Sequence, residues 1–364
     1  MLPFDGDSIL ASRERAGGVS GATSHMLAIA FGPRTMSEAI AGLPRIRQEA
    51  DCVELRLDLF EEPFDLPALL RERGDLPVVV TLRPPHEGGK SPLPPAERVR
   101  VLLRAAELGA EYVDLEWDAA TPASIATLRQ AGARVVVSRH DFKAMPPDLA
   151  DGWWPALAAL GPDVVKVVGT ASDVRDCLPV FRALSDDRAQ TPTIAIAMGA
   201  PGVLTRVLAL RAEQCFLTYA MLGQASATAP GQLTAREMRK TYHVERLRPR
   251  TRVFGLLGPH AEDARLSEYN AWFARDNWDA VSVPFQTRTD APAIVSAFRE
   301  LPVSGWHIHG PDLQATVPQA LDDLAPTAAT HHKVNGIVRH DDGRLVGHWV
   351  ESPREQYEVW RSAD

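Results

Sequence analysis

The sequence is poor in cysteine, in long apolar runs and in positive charge. Its 364 residues contain three cysteines, Cys52, Cys177 and Cys215, an odd number spaced far apart. This usage indicates reduced core thiols in a cytoplasmic protein and not a disulfide framework. No apolar run approaches the length of a membrane span, so we expect no membrane association. The formal net charge of −8 argues against a nucleic-acid-binding surface.

The chain also lacks a glycine-rich phosphate turn after its first strand-like run, which ends at Phe31. Eight such runs alternate with segments of helical spacing, a pattern that predicts a closed parallel (β/α)₈ TIM barrel followed by a smaller α/β domain. An open doubly wound sheet is the alternative, but it normally carries that phosphate turn. The predicted strands are Met26 to Phe31, Cys52 to Asp58, Pro77 to Leu82, Tyr112 to Trp117, Arg134 to Ser138, Val164 to Val168, Thr193 to Ala197 and Cys215 to Ala220.

Two β-branched runs each carry one residue capable of chemistry. His140 ends the first run, and Lys166 lies in the second with two valines on either side. A lysine in an apolar interior becomes a neutral amine, because burial disfavours the ammonium form. Lys166 is therefore a candidate Schiff-base nucleophile and His140 a candidate proton shuttle. The structural alternative is a lysine on an edge strand that faces solvent.

Charged residues gather where the barrel pattern predicts a site. Glu54, Arg56 and Asp58 alternate with apolar residues and share one face of the second strand. Arg83 follows the third strand, and Glu87 stands beside two glycines in the loop after it. Side chains at the carboxyl ends of barrel strands are typically functional.

Polar residues also follow the later strands. Asp114 and Glu116 share a face of the fourth strand, where a structural ion-pair network and a catalytic role are equally compatible with the pattern. Arg206 lies in the first turns of the helix after the seventh strand, and Thr228 and Gln232 lie on the turn after the eighth. A guanidinium near a helix start is suited to bind a carboxylate.

In this order, the motifs of residues 25–245 resemble those of type I 3-dehydroquinate dehydratase, a Schiff-base (β/α)₈ lyase of the shikimate pathway. No motif is decisive alone, but six in order over one domain are specific. The matching segments are Glu54-Leu-Arg56-Leu-Asp58, Thr81-Leu-Arg83 with Glu87-Gly-Gly, Ser138-Arg-His140-Asp-Phe, Val165-Lys166-Val, Met198-Gly to Thr205-Arg206, and Thr228-Ala-Pro-Gly-Gln232.

The resemblance implies a role for each matching residue. Lys166 is expected to form an imine with the ketone of 3-dehydroquinate, and His140 to act as general base and acid. Glu87 is expected to pair with that histidine. No metal and no cofactor are expected for this dehydration to 3-dehydroshikimate. The residues expected to bind the substrate are Glu54, Arg56, Arg83, Arg206, Thr228 (usually a serine in this family) and Gln232.

Residues 253–364 resemble the substrate-binding domain of shikimate dehydrogenase, mostly through small and turn residues. The family's catalytic aspartate falls near Glu351, and the asparagine before it falls on Trp349. With no glycine-rich nucleotide fingerprint after them, we expect this domain to be degenerate and catalytically inactive. The matching segments are Val253-Phe-Gly255-Leu-Leu-Gly258, Tyr269-Asn270, Val283-Pro-Phe285, Gly305-Trp306, Val334-Asn335-Gly336 and Leu345-Val-Gly347.

The remaining expectations concern organisation. Residues 1–24 are expected to be a disordered leader and residues 246–252 a linker. His307, His309, His331 and His332 are interpreted as surface or satisfied histidines, because a convincing third metal ligand is lacking. A homodimer is the default oligomer. The rival interpretation of the whole chain is a non-catalytic sensor or regulatory scaffold that binds quinate-like acids and derives from shikimate-pathway enzymes.

Overall fold

The computed structural model describes residues 25–184, 191–223, 229, 231–259, 264–288, 290–301 and 303–363. The predicted leader, residues 1–24, and the predicted substrate ligand Thr228 lie outside these residues. In the part of the chain that the structure describes, no helix is long and apolar enough to cross a membrane. Cys52, Cys177 and Cys215 are buried free thiols.

The first sheet has eight parallel strands in the order β7-β6-β5-β4-β3-β2-β1-β8. Neighbours in the sheet follow chain order, and an isolated parallel bridge between Thr193 and Cys215 brings β7 to the segment before β8, so the barrel is nearly closed. The predicted barrel is thus confirmed. The strands are β1 Met26–Phe31, β2 Cys52–Arg56, β3 Val78–Thr81, β4 Tyr112–Glu116, β5 Arg134–His140, β6 Val164–Thr170, β7 Thr193–Met198 and β8 Leu217–Ala220.

Helices follow the strands around the outside of the barrel. Thr35, Asp65, Thr121 and Thr234 begin four of them as N-caps, each accepting a hydrogen bond from a backbone N–H of the first turn. The helices are α1 Met36–Glu49, α2 Leu66–Glu72, α3 Pro95–Glu107, α4 Pro122–Gln130, α5 Trp154–Ala158, α6 Leu178–Leu184, α7 Val203–Leu208 and α8 Ala235–Lys240.

Most predicted strands differ from the observed ones by one or two residues at an end, and two of these differences involve predicted site residues. The second strand ends at Arg56 and not at Asp58, because residues Leu57–Leu59 turn into a 3₁₀ helix. The Asp58 carboxylate nevertheless reaches Arg56 from this turn. The fifth strand continues past Ser138 to His140, so the histidine lies on the strand itself.

The interior of the barrel is apolar at one level and charged at another. Val164 and Val168 flank Lys166 on β6 and are buried with residues such as Val136 and Ile194 of the neighbouring strands. Strand alternation then carries Lys166 itself into the interior, where it is 3% exposed. Burial of this lysine is as predicted.

The second sheet is mixed and has the order β10-β9-β11-β13-β14-β12. β9, β10 and β11 run parallel, whereas β13 is antiparallel to both of its neighbours. Its elements are β9 Arg252–Gly258, α9 Ala264–Arg275, β10 Ala280–Gln286, α10 Ala291–Ala297, β11 Val303–Ile308, α11 Pro311–Thr316, β12 Asp323–Leu324, α12 Pro326–His331, β13 Gly336–Arg339, β14 Leu345–His348 and α13 Pro353–Ser362.

The small residues that carried the second resemblance make room for aromatic rings. A Cβ atom at Gly255 would lie 2.4 Å from Trp306, and one at Gly305 would lie 2.8 Å from Trp360. The Asn270 amide bridges the backbone N–H and C=O of Ser282 at 2.7 and 3.0 Å. These residues therefore hold the aromatic core of the domain together, a structural role that needs no ligand.

Candidate active site

A small cavity opens at the carboxyl ends of the barrel strands. It collects seven of the nine residues predicted to act in catalysis or substrate binding, and Glu87 stands directly behind it in contact with His140. Thr228 is outside the described residues, so its place in this site is not defined. The predicted residues that line the cavity are Glu54, Arg56, Arg83, His140, Lys166, Arg206 and Gln232.

Lys166 is surrounded by acceptors. Its Nζ donates to Asp114 Oδ2 at 2.8 Å, to Glu54 Oε1 at 3.0 Å and to the Tyr219 hydroxyl at 3.1 Å. The sequence suggested an amine among valines, whereas the structure places two carboxylates and a phenol around Nζ.

Asp114 links the lysine to a second cation. The same Oδ2 atom that faces Lys166 accepts from Arg83 Nη2 at 2.7 Å, and Ser138 Oγ donates to Oδ1 at 2.5 Å. Burial acts to raise the pKa of Asp114, but Arg83 and Lys166 outweigh it and hold the pKa well below its usual range. Asp114 is thus an anion that fixes the positions of both cations.

His140 is a buried imidazole between a guanidinium and a carboxyl group. Arg83 Nη1 lies 2.8 Å from Nε2 and also contacts Nδ1, and Nδ1 lies 3.0 Å from Glu87 Oε2. Burial, together with the charges of Arg83 and Lys166, lowers the pKa of His140 well below its ordinary value. The imidazole is therefore neutral at physiological pH and able to accept a proton.

Glu87 is held in a tight turn. It ends the 3₁₀ segment Pro85–Glu87, and Gly88 follows with φ of 78°. A Cβ atom at Gly88 would lie 2.2 Å from the Phe142 ring, so this position needs glycine for both conformation and space. Burial raises the pKa of Glu87 to about 8 although Arg83 opposes it, so the carboxyl holds a proton at neutral pH.

Arg206 and Gln232 bring the strand β7 and β8 loops to the cavity. Arg206 is 2% exposed, and its Nε donates to Gly231 O at 3.0 Å. Burial lowers the pKa of this guanidinium to about 10. Gln232 Oε1 accepts from the backbone N–H of Ala229 at 3.3 Å. A buried guanidinium at a cavity wall is suited to bind an anionic group of a ligand.

Arg56 is already engaged by its neighbour. Its Nε and Nη2 donate to the two Asp58 oxygens at 2.8 Å each, and the backbone N–H of Lys90 donates to the same carboxylate at 3.1 Å. This pair fixes the guanidinium at the cavity wall and ties β2 to the loop after β3.

Sequence reasoning missed Tyr219 and Ser138. Both are fully buried on strands, where a tyrosine and a serine in apolar runs read as core. The signal was positional, since strand register puts Ser138 directly beside Lys166. Asp114, which was left open between structural and catalytic roles, touches Lys166, Arg83 and Ser138 at once.

Histidines of the second domain have partners other than a metal. His307 Nδ1 lies 2.6 Å from the Tyr269 hydroxyl, His309 Nδ1 lies 3.0 Å from Arg265 Nη1, and the His331 ring stacks on Trp349. Across the described residues, the structure contains no group of three or more His, Cys, Asp or Glu side chains arranged to hold a metal ion.

The family model of type I 3-dehydroquinase matches residues 28–249, which include every residue of the cavity. The chain belongs to this family. Among curated relatives of the type I 3-dehydroquinase family, a chloroplastic bifunctional 3-dehydroquinate dehydratase/shikimate dehydrogenase of Arabidopsis thaliana is 31% identical over 307 residues, 82% of this chain and 50% of that protein. A 3-dehydroquinate dehydratase of Pyrobaculum aerophilum is 36% identical over 187 residues, 50% of this chain and 60% of that protein.

The Arabidopsis match is too long to end within residues 28–249, so it extends into a second domain that is shikimate dehydrogenase-like. This type I 3-dehydroquinase chain spans about half the length of the curated relatives it matches.

Solved structures agree on the fold. A dehydroquinate dehydratase and shikimate dehydrogenase from S. pombe AroM aligns with a TM-score of 0.53 at 24% identity, covering 90% of this chain and 65% of that one. A 3-dehydroquinate dehydratase of Geobacillus kaustophilus aligns with a TM-score of 0.54 at 26% identity, covering 60% of this chain and 90% of that one. The first of these matches includes both domains of the present type I 3-dehydroquinase.

Proposed function

We propose that the barrel dehydrates 3-dehydroquinate to 3-dehydroshikimate through a Schiff base on Lys166. Family membership and the names of both curated relatives support the reaction. The observation that carries the mechanism is the position of Lys166, a buried amine that shares one cavity with the neutral imidazole of His140 and the guanidinium of Arg206.

In the proposed reaction, the amine of Lys166 attacks the substrate ketone and water leaves as the imine forms. The nitrogen must be unprotonated when it attacks, and the proton that it gives up ends on the carbonyl oxygen, which leaves as water. Glu54 and Asp114, both within 3.0 Å of Nζ, stabilise the positive charge of the iminium. The iminium withdraws electrons from the adjacent C–H bond, so a weak base such as imidazole suffices to remove that proton.

His140 then completes the elimination. The proton that it has taken from carbon goes to the departing hydroxyl group, and the C–O bond breaks to give water and a conjugated product. Hydrolysis of the imine regenerates Lys166. No electrons are transferred overall, so this chemistry needs no redox cofactor, and the iminium supplies the electron withdrawal for which other enzymes use a metal ion.

Substrate binding is divided between two sides of the cavity. Arg206 with Gln232 and Thr228 is proposed to hold the substrate carboxylate, and Glu54, Arg56 and Arg83 its hydroxyl groups. A guanidinium binds a carboxylate through two parallel hydrogen bonds, which also fixes the orientation of the ring.

Trapping the imine tests this proposal. 3-Dehydroquinate is added to the purified chain, enone absorbance is followed, and borohydride is then used to reduce any imine before peptide mass mapping. Turnover with an adduct on Lys166 is expected. Lys166→Ala should abolish both, whereas Lys143→Ala, which changes an exposed lysine outside the cavity, should preserve both.

Two outcomes would contradict the proposal. An adduct on a lysine other than Lys166 would reassign the nucleophile. A folded protein with neither turnover nor adduct would favour the sensor or scaffold interpretation.

We also infer that residues 253–364 perform no hydride transfer. In this domain the Trp349 indole donates to Glu351 Oε1 at 2.9 Å, so the carboxylate expected near the family's catalytic position is engaged by a bulky neighbour. Incubation with NADPH and 3-dehydroshikimate should leave the NADPH absorbance constant. Steady oxidation of NADPH that depends on 3-dehydroshikimate would contradict this inference.

The remaining proposals concern the protein in the cell. We propose a cytoplasmic homodimer that binds no nucleic acid. Sedimentation analysis of the purified chain tests the dimer, and retention on a nucleic-acid column at physiological salt would contradict the last point.

A further inference from the structure

A cleft of about 180 Å³ lies between the barrel and the second domain, away from the barrel site. Helices α6 and α7 form one wall, and β9, β10, β11 and the segment after α10 form the other. The lining is largely apolar and includes Phe181, Leu208, Val253, Phe285, Phe298 and Val303. An engineered apolar cavity of ~150 Å³ stays dry and binds benzene, so this cleft is large enough for one six-membered ring.

Among the described residues, one charged side chain lines the cleft. Arg211 follows α7, and its Nη2 donates to Pro249 O at 2.8 Å. Its Nε atom is buried and has no hydrogen-bond partner among the described residues. A buried guanidinium N–H that lacks an acceptor destabilises the folded protein, because it has lost its hydrogen bonds to water without forming a new one.

Among the described residues, the anion whose charge acts on the Arg211 guanidinium is Asp279. Burial lowers the pKa of the guanidinium, and the charge of Asp279 offsets this only in part. Arginine nonetheless stays protonated in proteins. An anion that enters the cleft would therefore gain a charge-assisted hydrogen bond at Nε while its apolar body fills the space beside Phe285 and Phe298.

We propose that this cleft binds a small monocarboxylate with a single apolar ring. The carboxylate accepts from the Arg211 guanidinium, and the ring packs between α7 and the β9 and β10 strands. Such a ligand contacts both domains at once. The proposal does not depend on the chemistry assigned to the barrel.

Three probes separate charge from apolar volume. Benzoate carries both features, benzyl alcohol has the ring without the charge, and acetate has the charge without the ring. Isothermal titration calorimetry on the full chain should show benzoate binding at least about tenfold more tightly than either partial probe, because a hydrogen bond between charged groups adds to the burial of the ring.

Two variants locate the site. Arg211→Gln should remove the preference for benzoate over benzyl alcohol, and Ala212→Phe should fill the cleft and abolish binding of both. Arg104→Gln, which changes an exposed arginine on α3, is the matched control and should bind as the wild type does. Should Arg211→Gln not fold, Arg211→Lys serves instead, since it keeps the charge but removes the Nε donor.

The barrel site must be distinguished because Arg206 could itself bind a carboxylate. Benzoate binding that survives in Arg206→Gln and is lost in Arg211→Gln supports the proposal. The reverse pattern, or equal binding to both variants, overturns it.

The sequence offers one internal competitor. Asp186 and Asp187 follow closely after Leu184, which lines the cleft, and both lie outside the described residues. If wild type binds no benzoate but the double variant Asp186→Asn, Asp187→Asn does, the chain supplies its own anion and the proposed ligand is wrong. No binding in either protein overturns the proposal as well.

Discussion

A single carboxylate oxygen, Oδ2 of Asp114, accepts hydrogen bonds from two basic side chains of the barrel site. Asp114 Oδ2 lies 2.8 Å from Lys166 Nζ and 2.7 Å from Arg83 Nη2, so one anion holds two cations that would otherwise repel each other. Arg83 in turn lies against His140 and helps to keep its imidazole neutral. Lys166 and His140, the proposed nucleophile and the proposed base, thus belong to one connected group of side chains.

At the residue scale, His140→Ala should separate imine formation from proton transfer. Lys166 keeps its own partners, so borohydride should still trap the adduct. Turnover should fall by about 10²- to 10⁴-fold, because general base and acid catalysis are both lost. Steady-state kinetics and mass mapping on the same preparation check this, and loss of the adduct along with turnover would show that His140 is needed earlier.

Arg206→Ala should act mainly on binding. Removing the partner of a buried carboxylate costs about 2 to 5 kcal/mol, so KM should rise strongly while the imine still forms at saturating substrate. Arg104→Ala is the control, since its side chain is exposed and pairs with Glu107. An unchanged KM with reduced kcat would contradict the proposed role.

The sequence predicted Lys166, His140 and Glu87 as a group, because ordered family motifs specify which strand ends meet. It could not place Asp114 or Tyr219, since a buried acid or phenol on a strand has the same local pattern in a structural and in a catalytic role. Contacts across strands, such as Tyr219 to Lys166, join residues far apart in the chain and depend on strand register. The order of the second sheet likewise follows from long-range pairing that local patterns do not encode.

At the scale of elements, the turn after β3 positions Glu87, which contacts His140. Gly88 lets the chain reverse so that Glu87 faces His140 while Phe142 closes over the turn. A Cβ atom at the next residue, Gly89, would lie 2.0 Å from Arg83 O, so the backbone passes very close to the strand end. The spacing of Arg83 and Glu87 depends on this compact turn.

Gly88→Ala should therefore be worse than an equivalent change elsewhere. Gly109 also has positive φ, 90°, but a Cβ atom there would meet nothing within 4 Å. Both variants should lose about 1 kcal/mol of unfolding free energy from backbone strain. Only Gly88→Ala should also lose turnover, because Phe142 and Glu87 must move, and urea unfolding with kinetic assays will measure the difference. Equal turnover in both variants would contradict this account of the turn.

At the scale of the whole molecule, the buried acid Glu116 makes the stability of the fold depend on pH. Both carboxylate oxygens of Glu116 are buried without a hydrogen-bond partner among the described residues, although Arg98 Nε lies 3.4 Å from Oε2. Burial raises the pKa of Glu116 from 4.5 to about 8, opposed by Arg83. The folded protein thus keeps a proton that the unfolded chain releases at neutral pH.

The free energy of unfolding should consequently fall as pH rises. The contribution of Glu116 to the free energy of unfolding is fully present below about pH 4.5, which is the pKa of this group in the unfolded chain. It is lost as pH rises through about 8, the pKa of Glu116 in the folded protein. In Glu116→Gln, the decrease in the free energy of unfolding between pH 5 and 8 should be smaller than in the wild type by about 1 to 4 kcal/mol. Urea unfolding at both pH values checks it, with the exposed Glu107→Gln as control; parallel curves for wild type and Glu116→Gln would contradict it.

The aromatic core of the second domain gives the molecule an optical asymmetry. Five of the eight tryptophans lie in that domain, at positions 272, 278, 306, 349 and 360. Trp306 and Trp360 are buried and pack against Gly255 and Gly305. The protein's fluorescence is consequently weighted toward the domain that does not contain Lys166. A red shift of the emission should report loosening of the second domain, while the ability to form a borohydride-stable adduct reports the barrel, so the two halves can be followed separately in one tube.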